Sequence, residues 1–207
     1  DNDTGILRLD TDANNGVVRL ISGNTDKDTT AVFTGQMFDT AAMGPLACEA
    51  RVRMPDLDDK NVFIGFADAN DDDINGTDDI VERASNTAIT LNGSNLCGFF
   101  WASEVETADE DWYGVFNGGD TTGVTVAASV DLDADATLGE FQVLRLEIET
   151  NGTARWYVDG VLKQTQAGAV STSAELAFVC AVIATTTEFG HLEVDYIAVE
   201  ANRDWTV

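Results

Sequence analysis

A single histidine, three cysteines and a large excess of carboxylates bound the chemistry open to this chain. A serine or cysteine triad would have to use His191, and no Gly-x-Ser-x-Gly elbow precedes a helix, so His191 reads as a satisfied or solvated strand residue. Cys48, Cys97 and Cys180 each sit in an apolar run: LACEARV, NLCGFFW and AFVCAVI. An odd count with no C-x-x-C pair argues against a disulfide framework or a thiolate metal site, and for buried thiols that pack as small hydrophobes. Sandwich-type glycosidases set acid and nucleophile on one strand face in the pattern E-x-D-x-E or E-x-D-x-x-E. The chain offers Glu193-Val-Asp195, but neither expected third position carries a carboxylate. No catalytic residue is assigned on this reading, and the chain is expected not to be an enzyme.

Two further sets could bind rather than react. Asp71, Asp73, Asn75, Gly76, Asp79 and Glu82 fit D-x-[DN]-x-[DN]-G-x₅-E, the calcium-loop pattern of alternating oxygens, a turn glycine and a closing glutamate. The preceding segment reads as a strand rather than a helix, and Asp78 stands where an aliphatic residue is usual. A calcium ion held by Asp71, Asp73, Asn75, Asp79 and Glu82 is the one cofactor the sequence offers, and a solvated acidic loop accounts for the same residues. Phe99, Phe100, Trp101, Trp112 and Tyr113 lie close together. An exposed face bearing Trp101, Trp112 or Tyr113 would stack on a sugar ring, while core packing explains the same aromatics. Gly118-Gly119 reads as a turn, since no Gly-Lys-Ser/Thr and no helix follow it.

The elements that must position these residues show period two, in short runs broken by Gly, Asn and Asp. Strands are expected over residues 16–22, 31–38, 46–54, 61–67, 87–91, 96–102, 112–117, 122–130, 141–149, 153–158, 161–166, 175–185 and 191–200. In 46–54, Cys48, Ala50, Val52 and Met54 face one side while Glu49, Arg51 and Arg53 face the other. In 141–149, Phe141, Val143, Arg145, Glu147 and Glu149 oppose Gln142, Leu144, Leu146 and Ile148. Asp159-Gly160 between two apolar runs is a type I′ hairpin signal, because both central residues need positive φ. No segment carries a helical pattern. About a dozen short strands with turn punctuation predict an all-β fold, an antiparallel sandwich or barrel. Residues 1–15 read as an arm or edge segment and 16–207 as one domain.

Charge then narrows the partners. The 207 residues hold 37 acidic against 11 basic side chains, a net charge of -26. Such a surface repels nucleic-acid phosphates and anionic membranes, so neither is expected as a partner. It also suits a high-salt or cation-rich setting. No apolar run reaches the length of a membrane helix, and no secretory leader pattern stands at the start.

The C-terminal third carries a resemblance. Leu144-Arg-Leu-Glu-Ile-Glu149, Thr153-Ala-Arg-Trp-Tyr-Val-Asp-Gly160 and Val194-Asp-Tyr-Ile-Ala-Val199 resemble the laminin-G/concanavalin A-like jelly roll. Met37-Phe-Asp-Thr-Ala-Ala-Met-Gly-Pro-Leu46, with residues 49–53 and 62–68, resembles a group of tailed-bacteriophage virion proteins that carry a concanavalin-like domain. The resemblance implies a jelly-roll capsid decoration or cement protein on the exterior of the virion, assembled in the host cytoplasm. Its partner would be the major capsid protein, its state a homotrimer about a capsid symmetry axis, and a host-surface glycan a further partner. The rival expectation is a carbohydrate-binding, lectin-like module, calcium-dependent if the acidic loop is loaded.

Overall fold

The alternation of apolar and polar residues dictates a sheet with one buried face wherever it runs, and two such sheets must bury those faces against each other. The computed structural model has this form. It describes residues 5–9, 16–69, 75–103, 105 and 110–203. Sixteen strands occur among them: β1 (Ile6–Leu9), β2 (Val18–Ile21), β3 (Thr29–Phe33), β4 (Phe38–Asp39), β5 (Leu46–Arg53), β6 (Lys60–Ala67), β7 (Val81–Ser85), β8 (Ala88–Leu91), β9 (Leu96–Ala102), β10 (Asp111–Thr121), β11 (Val124–Asp135), β12 (Phe141–Ile148), β13 (Ala154–Val158), β14 (Val161–Gln166), β15 (Glu175–Ala184) and β16 (His191–Glu200). Sheet A runs β1-β2-β16-β5-β12-β13-β14, and sheet B runs β11-β10-β9-β6-β15-β3, with β4 also on β15. The strand pairs are antiparallel. Part of the expected N-terminal arm is therefore β1, the edge strand of sheet A.

The inner faces interdigitate as the period predicts. Cys48, Ala50, Val52 and Met54 of sheet A meet Ile64, Phe66, Phe99, Trp101, Trp112 and Phe178 of sheet B. Trp156 ties the layers together: its ring lies 5.7 Å from that of Phe116, and its Nε1 donates to the Gly98 carbonyl at 2.8 Å. Gly114 leaves room for the ring, since a Cβ there would sit 3.3 Å from Trp156. Asp159 and Gly160 have φ of 49° and 77°, the left-handed pair that a type I′ turn requires.

Four details depart from the sequence reading. The single strand expected over 31–38 is broken into β3 and β4. A short helix, α1 (Thr40–Met43), follows at once, its amides at 41 and 42 capped by the Asp39 carboxylate. A π-helical turn also stands at Gly76–Ile80, inside the segment expected to be a loop, and β7 had no alternation strong enough to show.

The outer faces of the two sheets differ. That of sheet B is apolar and covered: Phe63, Phe100, Val115, Ala177, Val179 and Ala181 pack beneath Ile80 and Val81, with Ile89 and Leu91 beside them. That of sheet A is open and polar.

Candidate functional site

On sheet A the polar half of each alternating strand points away from the core, and cross-strand register brings these halves into one lattice. Arg51 of β5 stands opposite Val143 of β12 and Tyr196 of β16, and Glu49 opposite Arg145 and Ala198. Tyr157 of β13 stands opposite Arg145. A bulge between Val194 and Tyr196 places both Asp195 and Tyr196 toward the outer face, and Asp195 accepts a hydrogen bond from Arg51.

The result is a chain of hydrogen bonds across four strands. Tyr196 Oη donates to Glu49 Oε1 at 2.6 Å. Arg145 donates from Nη1 to Glu49 Oε2 at 3.4 Å and from Nε to Glu147 Oε1 at 2.8 Å. Tyr157 Oη donates to Glu147 Oε2 at 3.2 Å. The hydrogen bond to Glu49 raises the Tyr196 phenol above its ordinary value, and burial followed by the charge of Glu147 does the same for Tyr157. Both rings therefore stay neutral donors. Phe141 lies between two guanidiniums, 4.3 Å from Arg51 and 4.6 Å from Arg53.

At one end Glu193 is only 1 % exposed and is clamped by Arg19 and Arg53. At the other end a groove of about 450 Å3 opens between Pro45, Leu46, Ile148, Arg145, Arg155 and Glu200, within the usual size range of ligand clefts. Arg155 donates to Glu149 at 2.7 Å on its wall. Five arginines (19, 51, 53, 145 and 155) and six carboxylates (49, 147, 149, 193, 195 and 200) thus share this region. The chain has 11 basic residues in all, so the face is close to neutral on an otherwise strongly negative body.

The residues singled out from the sequence fall elsewhere. Trp101 is 1 % exposed and donates from Nε1 to the Glu110 carbonyl, and Trp112 is fully buried and donates to Gln142 Oε1. Tyr113 is buried under sheet B's cover. These three build the core and are closed to a sugar ring. Asp71 and Asp73 lie outside the described residues. Of the rest of the acidic loop, Asn75 caps the π-helical turn with its own side chain, and Asp79 accepts from the Asn75 amide at 2.8 Å. Glu82 and Asp78 lie 3.8 and 2.9 Å from Lys27. Gly76 meets a packing need, since a Cβ there would stand 2.6 Å from the Ile183 side chain. Among the described residues no three carboxylate, histidine or thiol groups converge as a metal centre.

His191 faces Asp56 at 3.6 Å, and burial lowers its pKa. The three thiols are free and buried, and burial pushes the Cys180 thiol up to about 12.

One carboxylate set escaped the sequence reading. Asp131-Leu-Asp133-Ala-Asp135 turns its apolar residues to the core and its carboxylates outward on β11, with Asp135 opposite Asp111 and Asp131 opposite Tyr113. Asp111 is 6 % exposed, and its Oδ1 has no hydrogen-bond partner among the described residues. Burial, then the charge of Asp131, then contact with Asp135 raise its pKa to about 6. The neutral form is thus favoured on folding, so the stability this group adds is complete below its ordinary carboxyl pKa. It is lost as pH rises through about 6. Asp111→Asn is expected to stabilise the protein by about 1–2 kcal/mol at pH 7, because the amide removes a charge and adds a donor. Denaturant titrations at pH 7 and pH 4.5 check this: the gain should shrink at the lower pH, and an equal gain at both would refute the assignment.

No family model matches the chain, and no curated protein matches it. Solved structures do. An endo-β-1,4-glucuronan lyase from the fungus Trichoderma reesei aligns over 95 % of this chain and 87 % of its own, with a TM-score of 0.64 and 11 % identity. A Bacteroides ovatus glycoside hydrolase family 16 endo-glucanase aligns over 93 % and 84 %, with a TM-score of 0.58 and 8 % identity. The carbohydrate recognition domain of Emp46p aligns over 95 % and 86 %, with a TM-score of 0.57 and 11 % identity. The fold is therefore a concanavalin A-like jelly-roll β-sandwich.

These likenesses correct the expectation that the chain is not an enzyme. That expectation treated the sandwich as catalytically silent once its triad and glycosidase motifs failed, yet lyases and hydrolases of polysaccharides share this architecture. None of these three is a virion protein, so the capsid-decoration role, the capsid partner and the trimer draw no support from them.

Proposed function

We propose that the chain is a glycan-binding jelly roll whose ligand lies along the outer face of sheet A. The observation that carries the reading is the hydrogen-bonded row Tyr196–Glu49–Arg145–Glu147–Tyr157 on an open sheet face. Sugar rings are recognised by amphipathic aromatic rings beside planar, oriented donors and acceptors, and this row supplies both. Tyr196 on β16 and Tyr157 on β13 are three strand spacings apart, ~14 Å, which leaves room for a short run of sugar rings. Tyr196 is 38 % exposed, so its ring is available. The fold's likeness to a carbohydrate recognition domain and to polysaccharide-acting proteins supports the same reading. Tyr157→Ala and Tyr196→Ala are each expected to weaken binding about tenfold, in keeping with the loss of an aromatic anchor. Calorimetric titration of soluble oligosaccharides checks this, and unchanged affinity in both variants would remove the row from the site.

A second reading, glycan cleavage, is favoured by the Asp111 set. A carboxyl held near pKa 6 beside further carboxylates is suited to donate a proton to a leaving oxygen at neutral pH. Reducing-end release from a polysaccharide panel tests it: activity in the native protein that disappears in Asp111→Asn supports cleavage, and activity that survives the substitution places the chemistry elsewhere.

A further inference from the structure

We infer that the glycan taken by the sheet A face is uncharged, and that polyuronates are rejected there; the inference rests on the glycan-binding reading and adds the ligand's class. The fold leaves the choice open, because its likenesses include both a glucuronan lyase and an endo-glucanase. The charge arrangement decides it.

A site built for a uronate holds a guanidinium whose donors are free to fork onto the sugar carboxylate. Here the groove's two guanidiniums are already matched. Arg145 lies between Glu49 and Glu147, and Arg155 is held by Glu149. Glu200 adds a further carboxylate on the groove wall. A uronate entering the groove would meet carboxylates at close range and would have to share an arginine whose charge one of them already balances. A neutral sugar meets no such penalty, and its hydroxyls can donate to the lone pairs these carboxylates retain. Leu46 and Ile148 close the floor of the groove with their side chains turned into the core, and the exposed Pro45 at its edge suits the face of a neutral pyranose.

The body of the protein acts in the same direction over a longer range. With a net charge of -26, it repels a polymer carrying one carboxylate per sugar before contact is made. The two effects separate with salt. The long-range part is screened, with a Debye length of about 8 Å at physiological ionic strength, whereas the contact repulsion in the groove persists. Like charges arranged against a competing ligand are a recognised source of specificity.

The test compares a neutral β-glucan oligosaccharide with a glucuronan oligosaccharide of equal length, by calorimetry, at low and at 0.5 M salt. The native protein is expected to bind the glucan and to bind the glucuronan at least about tenfold more weakly, with part of that gap remaining at high salt. The Glu147→Gln, Glu149→Gln double variant should free Arg155, leave Arg145 with Glu49 alone, and narrow the gap about tenfold or more. Equal or tighter binding of glucuronan by the native protein overturns the inference and leaves the glycan-binding reading standing. A gap that vanishes in salt and ignores the double substitution overturns the groove's part in it. Binding of neither ligand, nor of any other glycan presented, overturns the glycan-binding reading together with the inference.

Discussion

Glu193→Ala is expected to cost about 3 kcal/mol of folding stability, because it removes the one almost fully buried carboxylate that Arg19 and Arg53 share. Arg19 and Arg53 retain partial solvent access, with side chains 24 % and 28 % exposed, which keeps the loss below the extreme for a wholly buried pair. Glu193 stands opposite Arg53 on one side and Arg19 on the other, so it also fixes the register of β2, β16 and β5. The damage should therefore reach the outer face of sheet A: Arg53 flanks Phe141, and Arg51 and Asp195 are next in line. Guanidinium denaturation followed by circular dichroism measures the cost. A loss under about 1 kcal/mol would mean that the clamp is solvated and replaceable.

Trp156→Ala is expected to be the most damaging single core change, at about 4 kcal/mol. The ring is fully buried between the sheets and touches both layers, so its removal leaves a cavity that neither sheet can close alone. Trp156→Phe keeps most of the volume but gives up the donor to the Gly98 carbonyl, and should cost about 1–2 kcal/mol. The pair of variants separates packing from hydrogen bonding. Thermal melts of both would contradict this account if Phe proved as harmful as Ala.

The outer face of sheet A was legible as a pattern but not as a site. The alternation of Glu49, Arg51 and Arg53 against Cys48, Ala50 and Val52 placed the charges on one face, and that of residues 141–149 did the same. What one strand cannot show is which strand lies beside it. Arg145 meets Glu49 only because β12 pairs with β5, and Tyr196 meets Glu49 only through the bulge that follows Val194. Asp111 was hidden for the same reason, since the carboxylates that raise its pKa come from β11 across the sheet edge. The regular spacing of Asp131, Asp133 and Asp135 was the one available signal.

Local chemistry was read well where it acts over a few residues. The Asp159-Gly160 turn, the buried thiols and most strand boundaries follow from such short-range rules. In the acidic loop Asn75 and Gly76 fit a calcium pattern in type and spacing, and in the fold one also caps a helical turn while the other clears Ile183, contacts that the pattern alone does not show. Trp101 and Trp112 likewise carry the right chemistry for sugar stacking, but pack face-inward because Phe99, between the sheets, shares their side of the strands.

The central claim is that the outer face of sheet A receives a glycan, and amide chemical-shift mapping during titration with a neutral β-glucan oligosaccharide tests it most directly. The account predicts saturable shifts that cluster on Glu49, Arg145, Glu147, Tyr157 and Tyr196 and on the groove around Leu46 and Ile148, and that disappear in the Tyr157→Ala, Tyr196→Ala double variant. Shifts confined to the sheet B edge around Asp111 and Asp135, or a spectrum that no glycan moves, would contradict it.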